Sequence, residues 1–386
     1  MFKDTATIVI DNGSKTIRAG ISGEDNPRYI FPTVVGKPKF NYSIGYKINN
    51  EGILDYYVGE NAISHRSLLN LGYPIKHGIV TNWDLFEMLY TNTFYTRLRA
   101  DPEDHPVLLS EAAMNTKKVR AKMIQIMFEN FNVPSLFFSM RAVLSLYSSR
   151  QQTGLVMQSG DEVTDIVPIT NGRPITNSIL SYNFGGKDLT IWLQKNIKDS
   201  NFISKIEHLE PSDIENLTYD MKKELCYVCQ NYEVELQKAK TTKECESVFK
   251  CEKNGECVTL NDERFKCPEI MFNPQIQPFN FDFEGIHKSI HESISKCDKE
   301  LHNELYSHIF LSGGNSHFRG LSERLENEIK KMTQNEKKVE VTCAESTNAA
   351  WIGGSIFASD EPFASKFVTN EMYKDSGADI VSEKFC

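Results

Sequence analysis

The sequence predicts an α/β protein of two similar lobes, and two observations carry the prediction. The first is the stretch Ala6–Ile21, ATIVIDNGSKTIRAGI, where the apolar, β-branched run Thr7 to Ile10 meets Asn12-Gly13 and then a second apolar run. Asn-Gly tolerates positive φ and marks a hairpin turn between strands. The second is a repetition: Leu155–Ile169, LVMQSGDEVTDIVPI, has the same order of strand, glycine-bearing turn and strand. Aligned on Gly13 and Gly160, Asp11 matches Gln158, Ser14 matches Asp161, Lys15 matches Glu162 and Arg18 matches Asp165. Solenoid periods are far shorter than this spacing, so the repeat means two lobes. One such hairpin per lobe, each turning backbone N–H groups outward, would close on a phosphate chain from both sides.

The totals agree with an ordinary globular chain. Its 386 residues are 40% hydrophobic and 25% charged, enough to bury a large core in two or more domains. A net charge of −9 leaves no basic field for DNA or RNA. The start MFKDTATIVID lacks an apolar signal core, and no stretch approaches the ~18 apolar residues of a membrane span. A cytosolic or nuclear protein is expected. The nine cysteines all lie in the second half. Cys226-x-x-Cys229 lacks the second Cys-x-x-Cys pair of a zinc site, so free intracellular thiols are expected.

Taken in order, Arg28 to Val35 leads to a turn at Gly36-Lys37-Pro38, and Phe40 to Tyr57 reads as an exposed loop. Thr81-Asn82-Trp83-Asp84 opens a helix to about Arg99. Pro106–Ser110 is a buried strand. Thr116–Phe131 has helical spacing, Leu136–Phe138 is a strand, and Arg141 opens a helix ending near Tyr147. In the second lobe, Phe184-Gly-Gly-Lys-Asp188 starts a helix to Asn196. Lys205–Glu246 is largely helical, and Glu244–Phe265 reads as a hairpin turning at Lys253-Asn254-Gly255. Phe272–Phe283 is a loop in which Phe279, Phe281 and Phe283 alternate, as an inter-subunit plug or as half-buried packing. Ile286–His302 is helical. The strand His308–Leu311 runs into Ser312-Gly-Gly-Asn-Ser316 and then a helix, a natural nucleotide contact. Trp351-Ile-Gly-Gly-Ser355 reads as a further glycine turn.

DNGSKTIRAG, FPTVVGKP, YPIKHGIVTNWD, HPVLLSEA, AVLSLY, KELCYV, ERFKCPE, LSGG and WIGGSI, in this order and spacing, resemble actin over essentially the whole chain. The resemblance implies the actin-like ATPase fold shared with sugar kinases and chaperone ATPases, with duplicated ribonuclease-H-like lobes around a nucleotide cleft. It places the first lobe at residues 1–150, with a small subdomain inserted at about 37–75 and the last segment, 351–386, returning to it. The second lobe is 151–350, with an insertion at about 188–270. It implies ATP or ADP, with Mg²⁺, held by Asp11, Gly13, Ser14, Lys15, Arg18, Gly160, Asp161, Gly186, Lys222, Gly313 and Gly314. Asp11 would hold the metal through water.

The departures from actin gather at the same place. Actin has glycine where this chain has Lys15, lysine at Arg18, glutamine at Arg141, aspartate at Gln158, glycine at Glu162 and histidine at Asp165. In the family that glutamine and histidine position the attacking water, and the aspartates at the positions of Asp11 and Gln158 hold the hydrated cation. None of the catalytic positions Arg141, Gln158 and Asp165 is intact. Losing one carboxylate weakens Mg²⁺ placement, and losing the water-orienting groups slows in-line hydrolysis. Near the base, Lys222-Lys223 replaces Lys-Glu and Thr347-Asn348 replaces Lys-Tyr. Lys15 is expected to pair with Glu162 across the cleft, and Arg141 with Asp11 where the metal would sit; the alternative is that these side chains swing to solvent while backbone N–H groups hold ATP. His77 matches a cleft-side histidine of the family, or is a packed loop histidine.

Actin's hydrophobic groove, which receives the next subunit and many partners, here carries Arg150, Arg173, Asp360, Glu361 and Lys366, while Tyr147, Phe357 and Phe363 remain. Charge there opposes conventional polymerisation and the standard groove binders. Tyr42, Ile44 and Tyr46 in the Phe40–Tyr57 loop still offer a docking surface. The reading is an actin-like or actin-related structural protein of the cytoskeleton or another assembly, cytoplasmic, partnered by other actin-like or cytoskeletal subunits. It would bind ATP weakly or as a fixed cofactor, with residual ATPase at most. The alternatives are a true ATP-hydrolysing, filament-forming actin and a nuclear actin-related subunit of a chromatin complex.

Overall fold

The computed structural model describes residues 6–39, 54–197, 209–251, 257–276, 281–360 and 365–380. Tyr42, Ile44, Tyr46, the turn at Lys253-Asn254-Gly255, Phe279, Glu361 and Phe363 lie outside these. Two units are formed: residues 1–151 with 348–386, and residues 152–347.

In the first unit, β1 (Ile8–Asn12), β2 (Thr16–Ile21) and β3 (Tyr29–Pro32) form an antiparallel meander. The other edge of β1 pairs in parallel with β4 (Val107–Glu111), which pairs in parallel with β5 (Ser135–Met140). The short strand Val368–Thr369 closes that side antiparallel. Both β1 and β4 are buried along their whole length, as central strands covered on both faces must be. One face packs against Phe86, Tyr90, Phe94 and Phe131, and the other against Leu144, Trp351 and Phe357.

Trp351 is wholly buried and donates Nε1–H to the Val9 carbonyl at 2.9 Å. The expected glycine turn at Trp351–Ser355 is instead the middle of a helix, Ala349–Ser359. Its glycines serve close helix contact: a Cβ on Gly353 would overlap the Leu144 carbonyl of the Arg141–Ser148 helix. The expected turn at Gly36-Lys37-Pro38 is also corrected. Val35–Pro38 is a strand, because Tyr57–Val58 and Leu69–Gly72 pair with its two edges. The Asn82-capped helix Trp83–Thr91 widens into a π-helix, Asn92–Leu98, and ends at Arg99 in the left-handed region. Thr116 likewise caps Lys117–Gln125, which continues as a π-helix to Asn130.

In the second unit, β6 (Gly154–Ser159) and β7 (Thr164–Thr170) form the repeated hairpin, and β8 (Ile309–Ser312) pairs in parallel with β6. Val341–Cys343 extends the sheet beyond β8, and Arg173–Pro174 and Leu180–Tyr182 pair with β7. Both units thus share a hairpin whose first strand has a parallel neighbour. The turns match as well: Gly13 N–H donates to Thr16 O at 3.1 Å, and Gly160 N–H to Val163 O at 2.8 Å.

The charged helical stretch divides into Pro211–Leu225 and Tyr232–Thr241. The hairpin strands are Ser247–Lys250 and Cys257–Leu260, but Phe265, expected in that hairpin, lies in the helix Glu263–Glu269 and is wholly buried. Helix Ile286–Ser295 stops short of His302, which begins a separate helix to Ser307. After β8 comes a single 3-10 turn, Gly314–His317, and the α-helix starts only at Leu321. Phe281 and Phe283 pack on Phe184, each with ring centroids 4.9 Å away, without forming a strand. The eight described cysteines are free thiols. Among the described residues no helix is long and apolar enough to cross a membrane, and no group of His, Cys, Asp and Glu could hold a metal ion.

Candidate functional site

The turn of the first hairpin sits at the end of β1, where the parallel register brings Ser110 of β4 beside it. Asn12 is held there three ways. Its N–H donates to Ser110 Oγ at 2.9 Å, its Nδ2 donates to the Ser110 carbonyl at 3.1 Å, and its Oδ1 accepts from Tyr90 Oη at 2.5 Å. Asp11, 4% exposed, is the cross-strand partner of Arg18. Its Oδ1 accepts from Ser110 Oγ at 2.5 Å, and its Oδ2 lies 3.2 Å from Arg18 Nη1. Arg18 Nε donates to Asn348 Oδ1 at 2.8 Å.

A second guanidinium joins this carboxylate. Arg141, first residue of the helix after β5, places Nε 3.8 Å from Asp11 Oδ1. That is ion-pair distance but too long for a hydrogen bond. Nε and Nη2 of Arg141 are buried and have no hydrogen-bond partner among the described residues. The guanidinium lies against Gly78, whose φ of +74° favours glycine and whose N–H donates to Ser14 Oγ at 2.9 Å. Gly13 is fixed through its carbonyl by Thr33 Oγ1 at 2.7 Å. Lys15, at the tip of the turn, and His77 are both exposed.

In the second unit the equivalent cross-strand pair is Gln158 and Asp165. Asp165 is buried and accepts from Ser181 Oγ at 2.5 Å. The turn is tied to its surroundings through backbone. The Gly160 carbonyl accepts from Gly186 N–H at 2.9 Å and from Asn315 Nδ2 at 2.8 Å, and the Asp161 carbonyl accepts from Lys187 N–H at 2.8 Å. Asn315 Nδ2 also reaches Ser159 Oγ at 3.0 Å. Such approach requires glycine: a Cβ on Gly185 would overlap Asp161, and one on Gly313, at φ +91°, would overlap the Ser159 carbonyl. Gly314 has open space before its Cα.

Lys222 is buried, donates Nζ–H to the Gly186 carbonyl and lies 5.1 Å from the Tyr219 ring centroid. Glu162 finds a cation within its own unit, Lys187, at 3.5 Å. Asp188 Oδ2 caps the Gly186 helix by accepting from Gly185 N–H at 2.9 Å, and its burial raises its pKa. The candidate residues therefore fall into two groups. Asp11, Gly13, Ser14, Lys15, Arg18 and Arg141 gather at the first turn, and Gln158, Gly160, Asp161, Asp165, Gly186, Lys222, Gly313 and Gly314 gather around the second.

The Actin family model matches residues 2–386. The chain belongs to the actin family. Proteins of the actin family generally bind a nucleotide with Mg²⁺, and the residues of this actin-family chain can be tested against each. A divalent cation wants oxygen anions with open lone pairs. Asp11 instead spends one oxygen on Ser110 and the other on Arg18, with Arg141 beside it. That donor set does not fit the cation. A phosphate oxyanion does fit: the orphaned N–H groups of Arg141 require an acceptor, and guanidinium matches phosphate geometry.

Two partners escaped the reading of the sequence: Ser110 and Ser181 hold Asp11 and Asp165. Asn348 and Asn315, read there as lying near the base and in a nucleotide turn, hold Arg18 and Gly160. Only the strand register could have exposed Ser110, since Ile10 pairs with Leu109 one residue before it.

The first unit also shows what became of the expected apolar groove. Tyr147 Oη donates to Asp360 Oδ2 at 2.7 Å, and burial together with this carboxylate pushes the phenol up to about 12. Lys366 Nζ lies 5.5 Å from the ring centroid of Phe357, which stacks on Phe137. Arg150 is exposed at φ +59°. In the second unit a cavity of about 580 Å³ is lined by Glu269, Phe272, His287, Arg324 and Glu328 among others.

Proposed function

We propose that this actin-family protein is a structural subunit of a cytoskeletal or other multiprotein assembly, holding ATP as a fixed or weakly bound cofactor with little or no turnover. The observation that carries the reading is the pair of arginines on Asp11. Arg18 and Arg141 occupy the surroundings of the carboxylate on which the family's cation depends. Arg141 also stands where a water-orienting glutamine is expected, and a guanidinium has no acceptor with which to orient water as a base does. Asp165 stands in place of the histidine and, bound by Ser181, is a carboxylate where the family has a water-positioning imidazole.

The second turn supports retention of the nucleotide. Its scaffold of Gly160, Gly186 and Asn315 runs through backbone and amide groups, which tolerate side-chain change around them. Cytoplasmic partners of actin-like type fit the family. Asp360 and Lys366 on the groove side argue against partners that seat an apolar helix there, because a charge at an interface core must be desolvated. The test is phosphate release from ATP under single-turnover conditions, with and without conditions that polymerise actin. The reading expects no release above the spontaneous rate in either. Release stimulated by assembly overturns it and establishes a filament-forming ATPase.

A further inference from the structure

We infer that the first turn is a metal-independent oxyanion site, in which the guanidinium of Arg141 takes the terminal phosphates of the nucleotide without a divalent cation. The inference rests on the proposed nucleotide binding and names what holds the phosphate end. Asp11 carries one negative charge, and Arg18 and Arg141 carry one positive charge each, so the cluster keeps an excess positive charge. Its members are poorly exposed: the side chains of Asp11, Arg18 and Arg141 retain 5%, 17% and 15% of their surface. At such burial the excess charge is weakly screened.

The two arginines divide the work. Arg18 is committed, with Nη1 on Asp11 and Nε on Asn348. Among the described residues, Arg141 meets Asp11 in an ion pair too long to be a hydrogen bond, and its Nε and Nη2 are buried without acceptors. A buried guanidinium N–H without an acceptor is costly, and a bound oxyanion removes that cost. A divalent cation at the same place meets the opposite situation. It finds two guanidinium charges, and a carboxylate already bound by Ser110 and Arg18. Gly78 lies against the arginine, and its N–H donates to Ser14 Oγ.

The test is equilibrium dialysis of the full chain with labelled ATP, in excess magnesium and in excess EDTA. Affinities that agree within about threefold support the inference. The Arg141→Gln variant should then bind ATP at least about tenfold more weakly in EDTA, the loss expected of charge-assisted hydrogen bonds. Binding in magnesium that collapses in EDTA overturns the metal-independent site while leaving the nucleotide reading standing. No binding in either solution overturns both. The wild-type comparison alone decides between these outcomes, whether or not the variant folds. An Arg141→Gln variant that folds and binds ATP in EDTA like the parent removes Arg141 from the site.

Discussion

Arg18 faces Asp11 across the first hairpin as its direct register partner, with the guanidinium 3.2 Å from the carboxylate. At the same register of the second hairpin stand Gln158 and Asp165. The duplicated frame is therefore preserved in backbone while its charges are rearranged. In the first unit a cation holds the carboxylate, and in the second the carboxylate has moved to the opposite strand and is held by Ser181. Asp11 consequently acts as a structural anion, and its neutralisation should be felt by the fold. Asp11→Asn leaves two poorly exposed guanidinium groups without a counter-charge, a change that costs about 3–5 kcal/mol for a buried pair. Urea denaturation followed by circular dichroism should show a clear fall in midpoint. An unchanged midpoint would mean that the carboxylate is not holding the arginines.

Gly313 should tolerate no side chain. Its φ of +91° and the Ser159 carbonyl behind it leave no room for a Cβ. Gly313→Ala combines backbone strain of about 1–3 kcal/mol with a forced shift of the turn away from β6. The neighbouring Gly314→Ala meets open space and should cost less. Thermal denaturation of the two variants side by side checks the ordering.

Ser181→Ala isolates the support of Asp165. Removing the hydroxyl that donates at 2.5 Å leaves a buried carboxylate short of one partner, at a cost of about 1–3 kcal/mol. Asp165→Asn, which keeps an acceptor for that hydroxyl, should be milder. A Ser181→Ala variant as stable as the parent would show that the contact contributes little.

The cavity of the second unit sets a pH dependence with two opposing arms. Burial lowers the His287 imidazole from 6.5 to about 4, against the raising influence of Glu328, and its Nδ1 is buried without a hydrogen-bond partner among the described residues. The unfolded chain takes that proton first, so this contribution is present above about 6.5 and lost as pH falls towards 4. Burial also raises the Glu269 carboxyl from 4.5 to about 7, although Arg324 at 3.4 Å opposes the rise. The folded chain holds that proton more tightly, so this contribution is present below about 4.5 and lost as pH rises through 7. Urea midpoints between pH 4 and 8 should therefore lose their acid-side decline in His287→Gln and their decline towards neutrality in Glu269→Gln. Profiles identical to the parent would contradict both assignments.

Much of the frame was legible because it rests on local chemistry. The hairpins at Gly13 and Gly160 and the strands beside them follow from glycine placement and apolar runs, although Asn12 ends β1 and neither it nor Gly13 takes the positive φ expected of the pair. The N-caps Asn82 and Thr116 likewise mark the helices they cap. Trp351–Ser355 misled because glycine usually ends regular structure, whereas here Gly353 lets two helices meet at Leu144. Phe265 misled for a related reason: its burial reflects tertiary packing rather than an alternating strand. At the candidate site, sequence pointed to Asp11 and Arg141 as partners. It could not show that Arg18 lies closer, or that Arg141 keeps N–H groups without acceptors, because both depend on where Ser110 and Asn348 arrive from distant parts of the chain.

The central claim, that nucleotide is held without turnover, is tested most directly by the nucleotide content of the purified protein, released by denaturation and resolved by chromatography. The account predicts that the nucleotide retained by the chain is ATP. Stoichiometric ADP would contradict it, showing that hydrolysis survives despite Arg141, Gln158 and Asp165.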